Sequence, residues 1–168
     1  FNYYSKQLGH DYDHLGSFAS SGQTIMPLLE DLNSLNYYQI SGPKSLGLEW
    51  VVENFHETIK NYDNNINDIL RTLVEHAALQ ISETLNQYGN GQVLLSGGGT
   101  YNDFFIKILT QHSNSKFIIP SKPIIDYKEA LIFGFLGVLK LRNEINCMKS
   151  VTGASKNHST GKIYEIIK

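Results

Sequence analysis

Three consecutive glycines, Gly97, Gly98 and Gly99, stand between an apolar run at 92–96 and a stretch of helical periodicity beginning near Asp103. Glycine loses more conformational freedom on folding than any other residue, so three together answer a backbone need. Either the turn is very tight, or something approaches the main chain too closely for a Cβ. A strand that runs through such a corner into a helix N-terminus leaves free N–H groups pointing outward, which suits anions and nucleotides. The spacing is not the dinucleotide fingerprint GxGxxG, nor a P-loop, because no Gly-Lys-Ser/Thr follows at the right distance. Asn102 can hydrogen-bond a ligand near the corner or serve as an ordinary first-turn polar residue. A tight strand-to-helix turn with no ligand is the competing reading of the glycines.

Other residue sets could also do chemistry. His10, Asp11, Asp13 and His14 are ligand types that suit zinc or manganese. Nothing else in the chain supplies a matching cluster, so they read as a solvated polar helix start and no metal site is assigned. Lys44 and Ser45 follow Gly42-Pro43 in a loop that either lines a cleft or makes a structural turn. His56 and His76 are isolated and read as surface or partly buried positions. Cys147 has no paired histidine signature and reads as a buried small hydrophobe.

The elements that must position these residues alternate between helix and strand. Leu15 to Leu35 reads as one helix, with Ile25, Leu28, Leu29 and Leu32 on one face. Gly16, Ala19 and Gly22 lie on another face, where small residues suggest close approach of a second backbone. A short helix is expected from Leu48 to Lys60. Asn64 or Asn65 can cap a long amphipathic helix carrying Ile66, Ile69, Leu70, Leu73, Val74, Ala77, Ile81 and Leu85, which Gly89 stops. Residues 92–96 read as a short buried strand, and 116–120 as a second strand ended by proline. Thr100 with Asp103, and Asp126 with Glu129, have capping-box spacing for helices reaching about His112 and Arg142. A segment at 162–167 is expected to form a last strand. The sum is an α/β domain with a partly parallel sheet.

Composition bounds the function classes. The chain has 168 residues, enough for one ordinary domain, and its 41% apolar and 18% charged residues read as globular rather than disordered. A formal charge of -2 leaves no electrostatic footprint for nucleic acid. The single cysteine excludes an internal disulfide and fits a reducing compartment. No apolar run reaches the roughly 20 residues of a membrane span, and no signal-peptide pattern opens the sequence.

Five stretches, in order, resemble the C-terminal half of the anhydro-N-acetylmuramic acid kinase family, within the actin-like ATPase superfamily. The first runs from Asp13 to Gly22 and resembles Asp-x-x-Gly-x-x-Ala-x-x-Gly. The others are the Gly42 to Gly47 loop, the Gly97 to Asn102 turn, Lys128-Glu129-Ala130, and the stretch from Asn146 to Ala154. Leu46 and Leu48 depart from the family's usual Thr and Arg, and Met148-Lys149 replaces Leu-Pro.

The resemblance implies an RNase H-like lobe, a mixed sheet flanked by helices, with residues 1–168 forming the single C-terminal lobe of a two-lobe sugar kinase. It implies an enzyme that opens the 1,6-anhydro ring of anhydro-N-acetylmuramic acid and phosphorylates O6 with MgATP, in bacterial cytoplasmic cell-wall recycling. Gly97, Gly98, Gly99 and Asn102 would then bind the nucleotide. Glu129 would face the sugar, with helix capping as its competing role. Thr152 and Gly153 would shape the cleft floor or end the domain. The phosphate loop, the magnesium ligands and the catalytic aspartate are expected upstream of Phe1, so no catalytic residue is assigned within the chain. Partners are the sugar and ATP, with no nucleic acid or membrane; the oligomeric state stays open, a homodimer included. Two alternatives remain: another actin-like sugar or acetate-type kinase lobe, and a non-catalytic interaction domain that docks through the 64–88 helix.

Overall fold

The computed structural model describes residues 1–41, 44–62 and 65–164. These divide into two units, Phe1–Pro120 and Ser121–Lys168. Gly42 and Pro43 of the expected loop, and Asn64 as a candidate cap, lie outside the described residues.

The spine of the first unit is the helix Ile66–Asn86. Asn65 caps it, its side-chain oxygen accepting the Asn67 N–H at 2.9 Å. Ile69, Leu70, Leu73, Val74 and Ala78 are buried along it, as the 3.6-residue periodicity predicts, whereas Ile81 is exposed. Before this spine come α1 (Asn2–Gln7), α2 (Ser17–Ser21), α3 (Met26–Asn33) and α4 (Asn36–Gln39). A continuous helical stretch follows: α5 (Leu48–Val51), a π-helical turn at Val52–His56, and α6 (Glu57–Ile59). The spine is therefore α7. Leu28 and Leu32 of α3 pack into the same core as Leu70 and Val74 of α7, and all four are fully buried. Burial of each is worth about 1.5–3 kcal/mol.

The single helix expected from Leu15 to Leu35 is instead broken. Gly22 is extended (φ -87°, ψ 174°), and α3 restarts at Met26 with Pro27 in its first turn. The break has two causes. A Cβ on Gly22 would stand 2.2 Å from the Asn67 carbonyl oxygen, so the chain lies directly against the α7 backbone there. Proline lacks an N–H and is tolerated only in a first helical turn.

Strand β1 (Gln92–Leu94) pairs in parallel with β2 (Lys116–Ile118), in the register Gln92↔Lys116, Val93↔Phe117, Leu94↔Ile118. The Leu95 N–H extends the ladder to the Ile118 carbonyl at 2.9 Å. Between the strands lie a 3-10 turn (Gly98–Tyr101) and α8 (Asp103–His112). Parallel strands need such a crossover. Among the described residues the sheet has these two strands only; residues 162–164 are irregular, and 165–167 of the expected last strand lie outside the described residues.

In the second unit, α9 (Lys122–Leu141) begins four residues before Asp126. Pro123 presets the first turn, so the expected Asp126–Glu129 capping pair sits inside the helix. Asp126 instead pairs with Lys122 at 3.1 Å. A short α10 (Lys149–Thr152) ends on Gly153, which takes the left-handed conformation (φ 73°). Cys147 forms an antiparallel bridge with His158, and its sulfur lies 3.4 Å from the Thr152 hydroxyl. It is half-buried, not the core residue expected, because that bridge holds it at the unit's surface.

Candidate functional site

The glycine corner is built by β1 from one side and α8 from the other. Gly97 has φ 93° and ψ 171°, a region essentially closed to residues with a Cβ. The turn then closes through two backbone bonds: the Thr100 N–H donates to the Gly97 carbonyl at 3.0 Å, and the Asn102 N–H donates to the Gly99 carbonyl at 3.1 Å. Gly98 and Gly99 differ from Gly97. Neither has a positive φ, and a Cβ on either would meet nothing within 4 Å. Glycine within a helical turn costs about 0.5–1 kcal/mol against alanine. The turn demands glycine at 97; no described residue demands it at 98 or 99.

Asn102 is the cap of α8. Its Oδ1 accepts the Phe105 N–H at 2.9 Å. The expected Thr100–Asp103 capping box is thus displaced by two residues, because Thr100 is absorbed into the 3-10 turn and buried there. The structure gives Asn102 the first-turn polar role, and it joins Gly97–Gly99 in one corner through its own N–H.

Residues that hold α8, and with it the corner, were not visible as a motif. Near the start of α8, the Arg71 guanidinium lies 4.8 Å from the Phe104 ring centre. Arg71 also donates twice to Glu75 Oε1, at 3.1 and 2.8 Å. Glu75 Oε2 reaches His112 Nε2 at 3.0 Å, at the last residue of the same helix. One side chain of α7 therefore links groups that touch both ends of α8. Only the i, i+4 spacing of Arg71 and Glu75 was legible in advance.

The remaining candidates separate. Glu129 is exposed, lies well inside α9 and has no hydrogen-bond or ion-pair partner among the described residues. It belongs to the second unit, the glycine corner to the first. The Lys44 ammonium donates to the Tyr37 and Ile40 carbonyls at 2.8 and 3.1 Å and lies over the Tyr37 ring, which is a structural turn. Ser45 is exposed. The Thr152 hydroxyl donates to the Met148 carbonyl within α10. Asp13 is buried, with its carboxylate accepting the Phe18 and Ala19 N–H groups at 2.8 and 3.0 Å. His10 packs on Phe18 and His14 on Tyr12.

His76 corrects the surface reading, since it is only 2% exposed. Its Nε2 accepts from the Tyr38 hydroxyl at 2.8 Å, and its Nδ1–H donates to Asn33 Oδ1 at 2.6 Å. Burial pushes its pKa down to about 4 and that of the Tyr38 phenol up to about 12. The neutral ring therefore ties α3, α4 and α7 together. It also edges a cavity of about 260 Å³ walled by Tyr3, Tyr4, Phe55 and His56. No Asp, Glu, Lys or Arg is among the described residues that line that cavity.

Residues 2–166 match the family model for anhydro-N-acetylmuramic acid kinase. The chain belongs to that family. It is 35% identical to the anhydro-N-acetylmuramic acid kinase of Sulfurovum sp. (strain NBC37-1), over 91% of the chain and 43% of the relative. It is 32% identical to that of Legionella pneumophila (strain Lens), over 97% of the chain and 46% of the relative. The corresponding protein of Nitrosomonas europaea is 29% identical, over 95% of the chain and 45% of the relative. The chain thus spans less than half the length of these relatives. No helix among the described residues is long and apolar enough to cross a membrane.

Proposed function

We propose that this chain is the carboxyl-terminal lobe, RNase H-like in its core, of a two-lobed bacterial cytoplasmic sugar kinase. The whole enzyme opens the 1,6-anhydro ring of anhydro-N-acetylmuramic acid with water and transfers the ATP γ-phosphoryl to O6. The observation that carries the reading is the glycine corner. No described residue requires glycine at 98 or 99, and a ligand lying flat on bare backbone supplies a cause. The ligand assigned to that wall is the adenosine end of ATP. Family membership and the shared coverage of about half of each relative support the two-lobed arrangement.

Within this scheme Glu129 hydrogen-bonds the sugar, and its lack of partners leaves its carboxylate available to do so. Phosphoryl transfer rests on positioning and charge neutralisation, and a lobe that grips nucleoside and sugar supplies the positioning. Magnesium is a different matter. No three His, Cys, Asp or Glu side chains converge among the described residues, so those residues offer the ion no ligand set of their own.

The test uses the two-lobed protein that contains this segment. Incubated with MgATP and anhydro-N-acetylmuramic acid, it forms N-acetylmuramic acid 6-phosphate, read by mass spectrometry. Gly98→Val raises the KM for ATP several-fold while the melting temperature holds. Absence of the product, or an unchanged KM in the folded variant, overturns the reading.

A further inference from the structure

The corner does not stand alone: the segment from Asp13 to Ala19 is pressed against it. Leu15 (φ 55°, ψ 9°) and Gly16 (φ 78°, ψ 27°) take two successive left-handed conformations, which fold the chain back sharply. The Asp13 carboxylate holds this fold by accepting the Phe18 and Ala19 N–H groups, a charge-assisted pair at the start of α2. The result is that the bare Cα of Gly16 faces the start of α8. A Cβ there would lie 2.2 Å from Asn102 Oδ1 and 2.5 Å from Phe104 Cβ.

Neither neighbour can yield cheaply. Asn102 Oδ1 is held by the Phe105 N–H, and Phe104 Cβ is fixed to the first turn of the helix. Displacing Asn102 moves the residue whose backbone N–H closes the turn on Gly99. The path is short and physical: Asp13 sets Gly16, Gly16 seats Asn102, and Asn102 closes the glycine turn.

We infer that Asp13 and Gly16 are positioning residues for nucleotide binding, acting through Asn102 on the Gly97–Gly99 wall. This rests on the reading of that wall as the adenosine contact. The segment sets how well the nucleoside fits, and the sugar side of the reaction does not feel it.

Steady-state kinetics of the two-lobed protein test this, with Gly98→Val as the control on the wall itself. Gly16→Ala is expected to raise the ATP KM about tenfold, with the sugar KM changed less than about twofold; by the tenfold-per-1.4 kcal/mol relation this is about 1.4 kcal/mol. On an Asn102→Gly background, where the nearer obstructing atom is gone, Phe104 Cβ remains and glycine still caps acceptably, Gly16→Ala raises the ATP KM by a smaller factor than it does in the wild type. If Gly16→Ala does not accumulate as folded protein, the Asn102 pair decides. Asn102→Asp keeps the acceptor and the cap, so it raises the ATP KM less than Asn102→Ala does. A Gly98→Val effect without any Gly16→Ala or Asn102→Ala effect on ATP KM overturns the positioning role alone. No Gly98→Val effect removes the wall, and the positioning role with it. Equal changes in the ATP and sugar KM values, or the same Gly16→Ala effect on both backgrounds, reduce Gly16 to a packing residue and also overturn the inference.

Discussion

Acidification should loosen the first unit at one identifiable residue, His76. The ring is 2% exposed and held between Asn33 and Tyr38, and burial lowers its pKa to about 4 from an ordinary 6.5. The folded state therefore binds this proton less readily than the unfolded chain. The stability it contributes is fully present above pH 6.5 and is lost as the pH falls from 6.5 to about 4. Linkage puts the loss at about 2 kcal/mol by pH 5, rising to roughly 3 kcal/mol below pH 4. For a domain of this size, 2 kcal/mol corresponds to a fall of about 4–8 °C in melting temperature. Circular-dichroism melts of the wild type and His76→Gln, each at pH 8 and pH 5, isolate the effect, because every other titrating group is common to both proteins. The variant starts less stable, having lost the ring that spans Asn33 and Tyr38, but its melting temperature falls less between the two pH values. Equal falls in both proteins would show that the ring titrates normally and that the burial argument is wrong.

Glu129→Gln in the two-lobed enzyme should impair turnover or raise the sugar KM while leaving the melting temperature within about a degree; since α9 begins at Lys122, the residue has no capping role to lose. A lowered melting temperature with intact kinetics would refute the sugar assignment. Gly22→Ala should cost about 1–3 kcal/mol, measured by urea unfolding, because its Cβ would overlap the Asn67 carbonyl. The 168-residue chain alone, incubated with MgATP and anhydro-N-acetylmuramic acid, should form no sugar phosphate above background, since it carries one glycine corner and no P-loop, and no acid cluster converges among the described residues.

Periodicity made α7, α8 and α9 legible, because long runs of apolar residues at helical spacing have few other solutions. The two strands were equally plain, each a short aliphatic run next to glycine or proline, but the first is not the buried strand expected, since Leu94 is exposed and Val93 half-buried. Helix starts were not. Thr100 and Asp126 have good capping chemistry, yet a 3-10 turn claimed the first and Pro123 opened a helix ahead of the second. Local signals of this kind compete, and only the assembled backbone decides which prevails. The small-residue spacing of Gly16 and Gly22 did foretell close approach, but not that one would face α8 and the other α7. Buried polar residues were the blind spot. Nothing around His76 distinguishes it from a surface histidine until Asn33 and Tyr38, about forty positions away, are brought beside it. Within the corner, the turn geometry accounts for glycine at 97, and the described residues leave it unexplained at 98 and 99.

Those two positions separate folding from activity in a way selection can read. A library at Gly98 and Gly99, sorted only for well-folded protein, should drift toward alanine and other helix formers, since no described residue resists a side chain there. Sorted for growth on the recycled sugar, the same library should hold both glycines. The gap between the two outcomes would measure, residue by residue, how much of this corner was shaped by what it holds rather than by what holds it.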